Sequence, residues 1–392
     1  MYIGSAGHRA AATPRLVPVG TPTRQIVLKI HSRCNLSCDY CYMYESIDQS
    51  WRTRPTTMTP ETLGRIAHRI DEHARTHDLR ELHVVLHGGE PLLAGHEGVE
   101  AALRGIRAAF PPARFSVQTN GILLDERFLT IFHEYGVRVG VSVDGDRAAT
   151  DRHRRYAGGR GSYDRIAAGI ELLMRPEHAA VYGGLLCTID VENDPDAVFD
   201  GLLAFAPPQI DLLLPHGNWT VPPPHRDRPL AYAHWLIRVF DRWYDHRPAA
   251  TNTRIRLFES VIARLLDRPS ATEAIGGEVP GVVTLETDGS YEQSDALKTT
   301  TEGGPATGLD VASHSLDDVL AHVAATAPYE LSATCRACPV VKVCGGGLRA
   351  HRYSAENGFA NPSAYCADLL ALITHVHGRV RADLTQPALA TR

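Results

Sequence analysis

The sequence predicts an α/β fold, a partial (β/α)6 TIM-like barrel of parallel strands followed by a smaller α+β region. Two observations carry the prediction. Six short apolar runs alternate with amphipathic stretches between Gln25 and about Asp245, and seven of the eight cysteines crowd into two places, one just behind the first run and one near the end. The runs are QIVLKIH from Gln25, LHVVLHG from Leu82, RFSVQTN from Arg114, VRVGVSVDG from Val137, VYGGLLCTI from Val181 and IDLLLPHG from Ile210. Strands separated by helices run parallel, and runs this apolar fit a sheet buried on both faces. Thr59-Pro60-Glu61 opens the first helical stretch with a cap residue, an N1 proline and an early acid.

Beyond the sixth run a proline-rich segment, Val221 to Pro229, precedes helical patterns over Leu230 to Tyr244 and Arg256 to Leu266. After Gly276 the character changes. VVTLETDGSYEQSD reads as a β-hairpin turning at Asp288-Gly289, and Gly303 to Gly308 reads as loop. Ser315 and Ser363 are placed to cap two further helices, the last with Cys366 in its first turn. The expected division is a flexible N-terminus over 1–24, a barrel over 25–250, and a bridging helix, hairpin and cysteine-bearing region over 251–392. With 44% hydrophobic residues, 22% charged and a net charge of -5, the composition is that of a globular protein without the basic excess that would steer it to nucleic acid or an anionic membrane. The first twenty residues hold no apolar stretch of signal-peptide or membrane-spanning length, so a cytoplasmic location is expected.

Cys34, Cys38 and Cys41 lie in HSRCNLSCDYCYMYE, directly after the first strand, at the end of the barrel where such folds put their chemistry. Clustered thiols in a large chain of this kind point to metal rather than to disulfides. Three thiolates hold three corners of a [4Fe-4S] cube and leave one iron free to take a substrate's amino and carboxylate groups. A zinc site is the alternative, although structural zinc wants four ligands and usually C-x2-C pairs. The second set, Cys335-x2-Cys338-x5-Cys344 with Cys366 twenty-two residues on, offers full coordination to one cluster or one zinc, and spacing alone favours zinc. Cys187, inside GLLCTI, reads as a buried inert thiol. His83 and His87 share a strand face without carboxylate company, and His87 reads as packing beside Gly88. Trp219, Tyr232, Trp235 and Trp243 could line a peptide groove, though the helical spacing of the last three suits core packing.

The C-x3-C-x-aromatic-C triplet resembles the signature of the radical S-adenosylmethionine (SAM) superfamily. Further segments follow in order behind successive strands: Gly88-Gly89-Glu90-Pro91, similar to the family's GGEP motif, then Gln118-Thr119-Asn120-Gly121, Ser142-Val143-Asp144-Gly145, and Asp151-Arg152-His153-Arg154 with Gly161-Ser162-Tyr163. The resemblance implies a SAM-cleaving [4Fe-4S] cluster on Cys34, Cys38 and Cys41, with Tyr40 near the adenine. It implies Gly88, Gly89, Glu90 and Pro91 at the methionine amino group, and Gln118, Asn120, Ser142 and Asp144 along the ribose and carboxylate. Arg154 would pair with the SAM carboxylate.

The later cysteines resemble the SPASM region of radical SAM peptide maturases, which implies a C-terminal Fe-S-binding SPASM-like α+β appendage with an auxiliary [4Fe-4S] cluster on Cys335, Cys338, Cys344 and Cys366. The sequence departs from that pattern where Leu348 replaces a ligand of the inner auxiliary cluster, where the hairpin lacks cysteine, and where Ser294 occupies one of the places; two clusters in all are therefore expected. In related sulfatase-maturing enzymes an aspartate after that missing ligand acts as catalytic base, and Asp295 falls there. It reads equally as a solvated acid at a strand end. The segments ETDGSYEQSDALKT, CGGGL, AHRY and NGFANPSAYCADLL resemble the FxsB-like branch, which implies crosslinking of an aromatic ring carbon to a β-carbon in a ribosomal precursor peptide, a cyclophane, with an external one-electron donor such as flavodoxin or ferredoxin. Thioether formation, epimerisation, sulfatase-type oxidation and a non-catalytic metal-stabilised peptide carrier are the alternatives.

Overall fold

The computed structural model describes residues 22–245, 253–277, 281–326 and 330–385. Residues 1–21 of the expected flexible N-terminus and the expected boundary near residue 250 lie outside them. Strand and helix alternate as β1 (Gln25–His31), α1 (Pro60–Thr76), β2 (Leu82–Gly88), α2 (Gly95–Ala109), β3 (Ala113–Thr119), α3 (Glu126–Tyr135), β4 (Val137–Ser142), α4 (Tyr163–Leu173), β5 (Tyr182–Thr188), α5 (Pro195–Leu203), β6 (Gln209–Leu213) and α6 (Ala231–Asp245). Each of these strands pairs parallel with the next, Ile26 opposite Val84 and Val84 opposite Phe115. The helix starts follow their local chemistry. Thr59 Oγ1 accepts from the Thr62 amide at 3.1 Å ahead of Pro60, and Asp125 accepts from the Phe128 amide at 2.9 Å.

The sheet continues past both ends of this series. A two-residue β7 (Arg254–Ile255) follows β6 and leads into α7 (Arg256–Leu265), while β8 (Val282–Leu285) pairs parallel with β1, Ile26 opposite Val283. β9 (Ser290–Glu292) and β10 (Ala306–Asp310) then add antiparallel, so the order among the described residues is β10-β9-β8-β1-β2-β3-β4-β5-β6-β7. The hairpin turns at Asp288-Gly289 as expected, with Gly289 at φ +86. It is not a separate layer; it extends the barrel sheet on the side of β1. The stretch read as loop, Gly303 to Gly308, runs into the edge strand β10. Ser315 and Asp318 cap α8 (Leu316–Thr326) reciprocally, and Ser363 Oγ accepts from the Tyr365 amide at 3.1 Å ahead of α9 (Cys366–Thr385).

Side chains alternate across the strands, and the two faces differ in chemistry. Ile26, Leu28, Ile30, Val84, Leu86, Phe115, Val117, Val139 and Val141 pack outward against Ile66, Ile70, Leu103, Leu129 and Phe132 of the helices in one apolar core. The alternate positions carry Lys29, His83, His87, Ser116, Gln118, Ser142 and Thr188. A sheet buried on both faces was expected; the concave face mixes these polar side chains with Val27 and Val85, and it is the face that carries the site. Tyr232, Trp235 and Trp243 belong to the core, whereas Trp219 is 37% exposed with its indole donating to Pro362 O at 2.7 Å. Among the described residues no helix is long and apolar enough to cross a membrane.

Candidate active site

β1 ends at His31, and the chain turns into the loop that carries Cys34, Cys38 and Cys41. The loop is held from the side by the turn after β2. The Gly89 amide donates to His31 O and the Glu90 amide to Arg33 O, each at 3.0 Å. Both glycines are required by that approach. A Cβ at Gly88, whose φ is +147, would fall 2.0 Å from His31 O, and one at Gly89 would fall 2.5 Å from Arg33 O. Glu90 is 1% exposed and ties the turn to the next strand end: it accepts from the Leu92 amide at 2.9 Å, Thr119 Oγ1 at 2.7 Å and the Asn120 amide at 2.7 Å, while burial pushes its carboxyl up to about 7. Pro91 begins the short 3-10 turn that follows.

The sulfurs face donors. The Leu36 amide lies 3.5 Å and Asn120 Nδ2 3.7 Å from Cys34 Sγ, and the Met43 and Tyr44 amides donate to Cys41. Burial pushes the Cys34 thiol up to about 12 and that of Cys38 to about 11, the latter against the pull of Arg154. Three thiols on one loop, with backbone amides aimed at Cys34 and Cys41 and the glycine cradle beside them, fit a [4Fe-4S] cluster held by three cysteines.

Most of the expected SAM contacts converge on this loop. Tyr40 Oη donates to Asp144 Oδ2, Arg154 Nε donates to the same oxygen at 3.0 Å, and the Arg154 guanidinium lies 5.6 Å from the Tyr40 ring centre. Asp144 is anchored by the Thr188 amide at 3.1 Å. Gln118 Nε2 donates to Ser142 Oγ at 2.8 Å across β3 and β4, and Asn120 Nδ2 donates to Asn35 Oδ1 at 2.7 Å.

Asp295 opens a 3-10 turn after β9, is 11% exposed, and pairs with Lys29 at 2.6 Å, so it is not the solvated strand-end acid that was the alternative reading. Lys29 Nζ also lies 2.6 Å from Glu286 and 3.7 Å from Met43 Sδ in the cysteine loop. Burial opposes the ammonium, but Asp295, Glu286 and Glu292 outweigh it and keep it charged. Lys298 stands 2.9 Å from Glu292, and Arg54 binds Glu292 at 2.6 Å and Asp288 at 2.7 Å. Near Asp295 burial pulls His216 down to about 4, His87 below its ordinary value and His351 well below it, so all three imidazoles are neutral. His216 and His351 face each other at 5.9 Å between ring centres. Lys29, Glu286, His216 and His351 escaped the sequence reading. Among these, Lys29 left a signal, as a charge inside an apolar strand run, a signal it shares with Arg138 and Asp211.

The second cysteine set assembles on short helices. Ser332 Oγ accepts from the Cys335 amide at 3.1 Å, the Cys338 amide donates to Cys335 O at 3.1 Å, Cys344 ends the helix Val341–Cys344, and Cys366 begins α9. Cys335, Cys338 and Cys366 all act on Cys344, whose thiol burial pushes up to about 12. Leu348 is 8% exposed in a small apolar cluster with Ala296, Leu297 and Ala350, and Ser294 Oγ reaches Glu273 at 3.5 Å. Cys187 is buried in the main core, as expected.

Residues 28–176 match the family model of the Radical SAM superfamily, so the chain contains a radical SAM domain, with SAM and a [4Fe-4S] cluster as the implied cofactors. An uncharacterized protein of Synechocystis sp. is 30% identical over 187 residues, 45% of this chain and 44% of its own length, so the match spans less than half of that relative. The serine-type anaerobic sulfatase-maturating enzyme of Klebsiella aerogenes is 26% identical over 368 residues, 88% of this chain and 84% of its own. The cysteine-type enzyme of Clostridium perfringens is 24% identical over 363 residues, 88% and 94% of the two chains. Among solved structures, native anSMEcpe with bound AdoMet superposes at TM-score 0.80 and 21% identity over 92% of this chain and 98% of that one. SuiB of Streptococcus suis bound to precursor peptide SuiA superposes at 0.59 and 13% over 88% and 76%. At these identities the two structures speak to the fold, a partial parallel barrel.

Gly89→Ala is expected to displace the cysteine loop and cost about four irons per chain on anaerobic reconstitution, counted against the wild type. Wild-type iron in that variant would show that the close approach of the two turns does not position the thiols.

Proposed function

We propose that this chain is a radical SAM enzyme that modifies a peptide by removing hydrogen from a side-chain β-carbon. One observation carries the reading: the three-cysteine loop and the Asp295 carboxylate meet through Met43 and Lys29 on the polar concave face of β1. When bound, SAM and its cluster supply a one-electron cleavage that yields a hydrogen-abstracting 5'-deoxyadenosyl radical.

The residues of the chain supply the rest. Cys34, Cys38 and Cys41 would hold three cluster corners, while Tyr40, Asp144, Arg154, the Gln118–Ser142 pair, Asn120 and the Gly88–Pro91 turn would hold SAM beside them. Asp295, held by the Lys29 ammonium at 2.6 Å, is placed to accept the proton that must leave the substrate after its hydrogen atom. The accompanying electron would leave through Cys335, Cys338, Cys344 and Cys366 holding an auxiliary [4Fe-4S] cluster. The apolar packing around Leu348 supports two clusters rather than three. A flavodoxin or ferredoxin is the expected external donor.

Oxidation of a serine or cysteine side chain in a polypeptide is the better-supported product, because the sulfatase-maturating relatives align over 88% of the chain. The aromatic-to-β-carbon crosslink of a precursor peptide is the second reading, favoured by the segments around Asp295 and Cys366. With dithionite and SAM under anaerobic conditions, the cluster-loaded chain is expected to release 5'-deoxyadenosine and to remove two hydrogens from a serine-containing peptide, giving an aldehyde that an aminooxy reagent captures. The same mass loss without capture would select the crosslink, and no 5'-deoxyadenosine at all would overturn the enzyme reading. Iron is expected at about eight per chain, and about twelve would refute the two-cluster count. Asp295→Asn should still release 5'-deoxyadenosine while product formation falls by at least ~100-fold; undiminished product would remove Asp295 from the chemistry.

A further inference from the structure

At the end of the barrel opposite the cysteine loop, His73 and His77 stand one helical turn apart near the end of α1 and face Asp317 in the first turn of α8. His73 Nδ1 lies 3.0 Å and His77 Nε2 2.8 Å from the same oxygen, Asp317 Oδ1, and the two ring centres are 4.6 Å apart. The other nitrogen of His73, Nε2, is 3.2 Å from the carbonyl oxygen of Thr23, the buried residue just ahead of β1. A carbonyl only accepts, so Nε2 carries the ring proton and Nδ1 of the neutral imidazole presents a lone pair. The His73 side chain is 1% exposed, and its Nδ1 has no hydrogen-bond partner. Two electron-rich atoms, the buried imidazole nitrogen of His73 and the Asp317 carboxylate oxygen that His77 Nε2 also reaches, thus face each other at 3.0 Å, an arrangement that a cation between them satisfies.

We propose that His73 Nδ1, His77 Nε2 and Asp317 Oδ1 bind a divalent transition-metal ion of the zinc type, with water completing the open side. The three ligand atoms lie within 4.8 Å of one another. A tetrahedral centre with bonds of ~2.0–2.1 Å wants its ligands roughly 3.3 Å apart, so the observed separations need only a slight opening. Two imidazoles with one carboxylate suit zinc rather than magnesium or calcium, which take oxygen. Thr23 O plays the part that an outer hydrogen-bond partner plays for a ligating histidine, fixing its tautomer and ring plane. Asp317 at 40% and His77 at 23% exposure give the ion a route in from solvent. The site would clamp α8 and the segment entering β1 onto α1. It does not touch the reaction, because α1 runs back from the cysteine-bearing end to the far end of the strands.

The test uses the full chain with its iron-sulfur clusters reconstituted anaerobically and desalted through chelator, then equilibrated with micromolar zinc chloride, desalted again and analysed for zinc and iron. The wild type is expected to retain about one zinc more than His77→Ala or Asp317→Asn at unchanged iron, and zinc should raise the Tm of the wild type and of neither variant. Both substitutions fall on partly exposed side chains, and equal iron content reports that the variants are folded. Equal zinc in all three proteins, or no zinc retained by the wild type, would overturn the proposal.

Discussion

The ammonium of Lys29 is 1% exposed on the concave face of β1, where burial alone would drive it neutral, and it stays charged because Glu286 and Asp295 each approach to 2.6 Å. Removing one partner of a buried pair leaves an uncompensated charge at a cost of about 3–5 kcal/mol, so these contacts constrain geometry more than they add stability. Glu286 follows β8, Asp295 follows β9, and Met43 belongs to the cysteine loop. One charge in the first strand therefore dictates that the late hairpin docks beside β1, and the parallel pairing of β8 with β1 follows. Arg54 and Lys298 close the network on Glu286 and Glu292. Burial pushes Glu286 up, yet Lys29, Lys298 and Arg54 outweigh it and hold that carboxyl well below the usual range.

Around this anchor the two cysteine sets differ in the number of thiols they offer. The first offers three thiols beside a polar wall of Tyr40, Asp144 and Arg154, and the turn at Gly88-Gly89 presses close enough that no side chain fits. The second offers four, two of them on one short stretch and one at the start of α9. A site with three ligands leaves room for an incoming molecule. A site with four is complete and suits electron transfer.

Much of this was legible in the sequence because periodicity and spacing are local. β1 and β2 begin and end where their apolar runs do, the cap at Thr59 forms, and the turn at Asp288-Gly289 is where the dipeptide stands. What stayed hidden depends on contacts between distant residues. The polar side of the lumen left no clear pattern, because Lys29, Gln118 and Ser142 are diluted among Ile, Val and Leu in the same runs. Asp295 stayed open between base and solvated acid because nothing local reveals that a lysine some 266 positions earlier will meet it. His216 and His351 come from different segments and acquire their neutral, buried character only when the C-terminal region folds over the barrel. The apolar packing of Leu348 against Ala296 and Leu297 is likewise a tertiary fact.

SAM binding at the three-cysteine set and nowhere else is tested most directly by electron paramagnetic resonance of the dithionite-reduced chain. In a Cys335→Ala, Cys338→Ala protein, adding SAM is expected to shift the remaining iron-sulfur signal. In a Cys34→Ala, Cys38→Ala, Cys41→Ala protein, the remaining signal should be identical with and without SAM. A SAM-induced shift in the second protein, or none in the first, would contradict the assignment of the open iron to Cys34, Cys38 and Cys41.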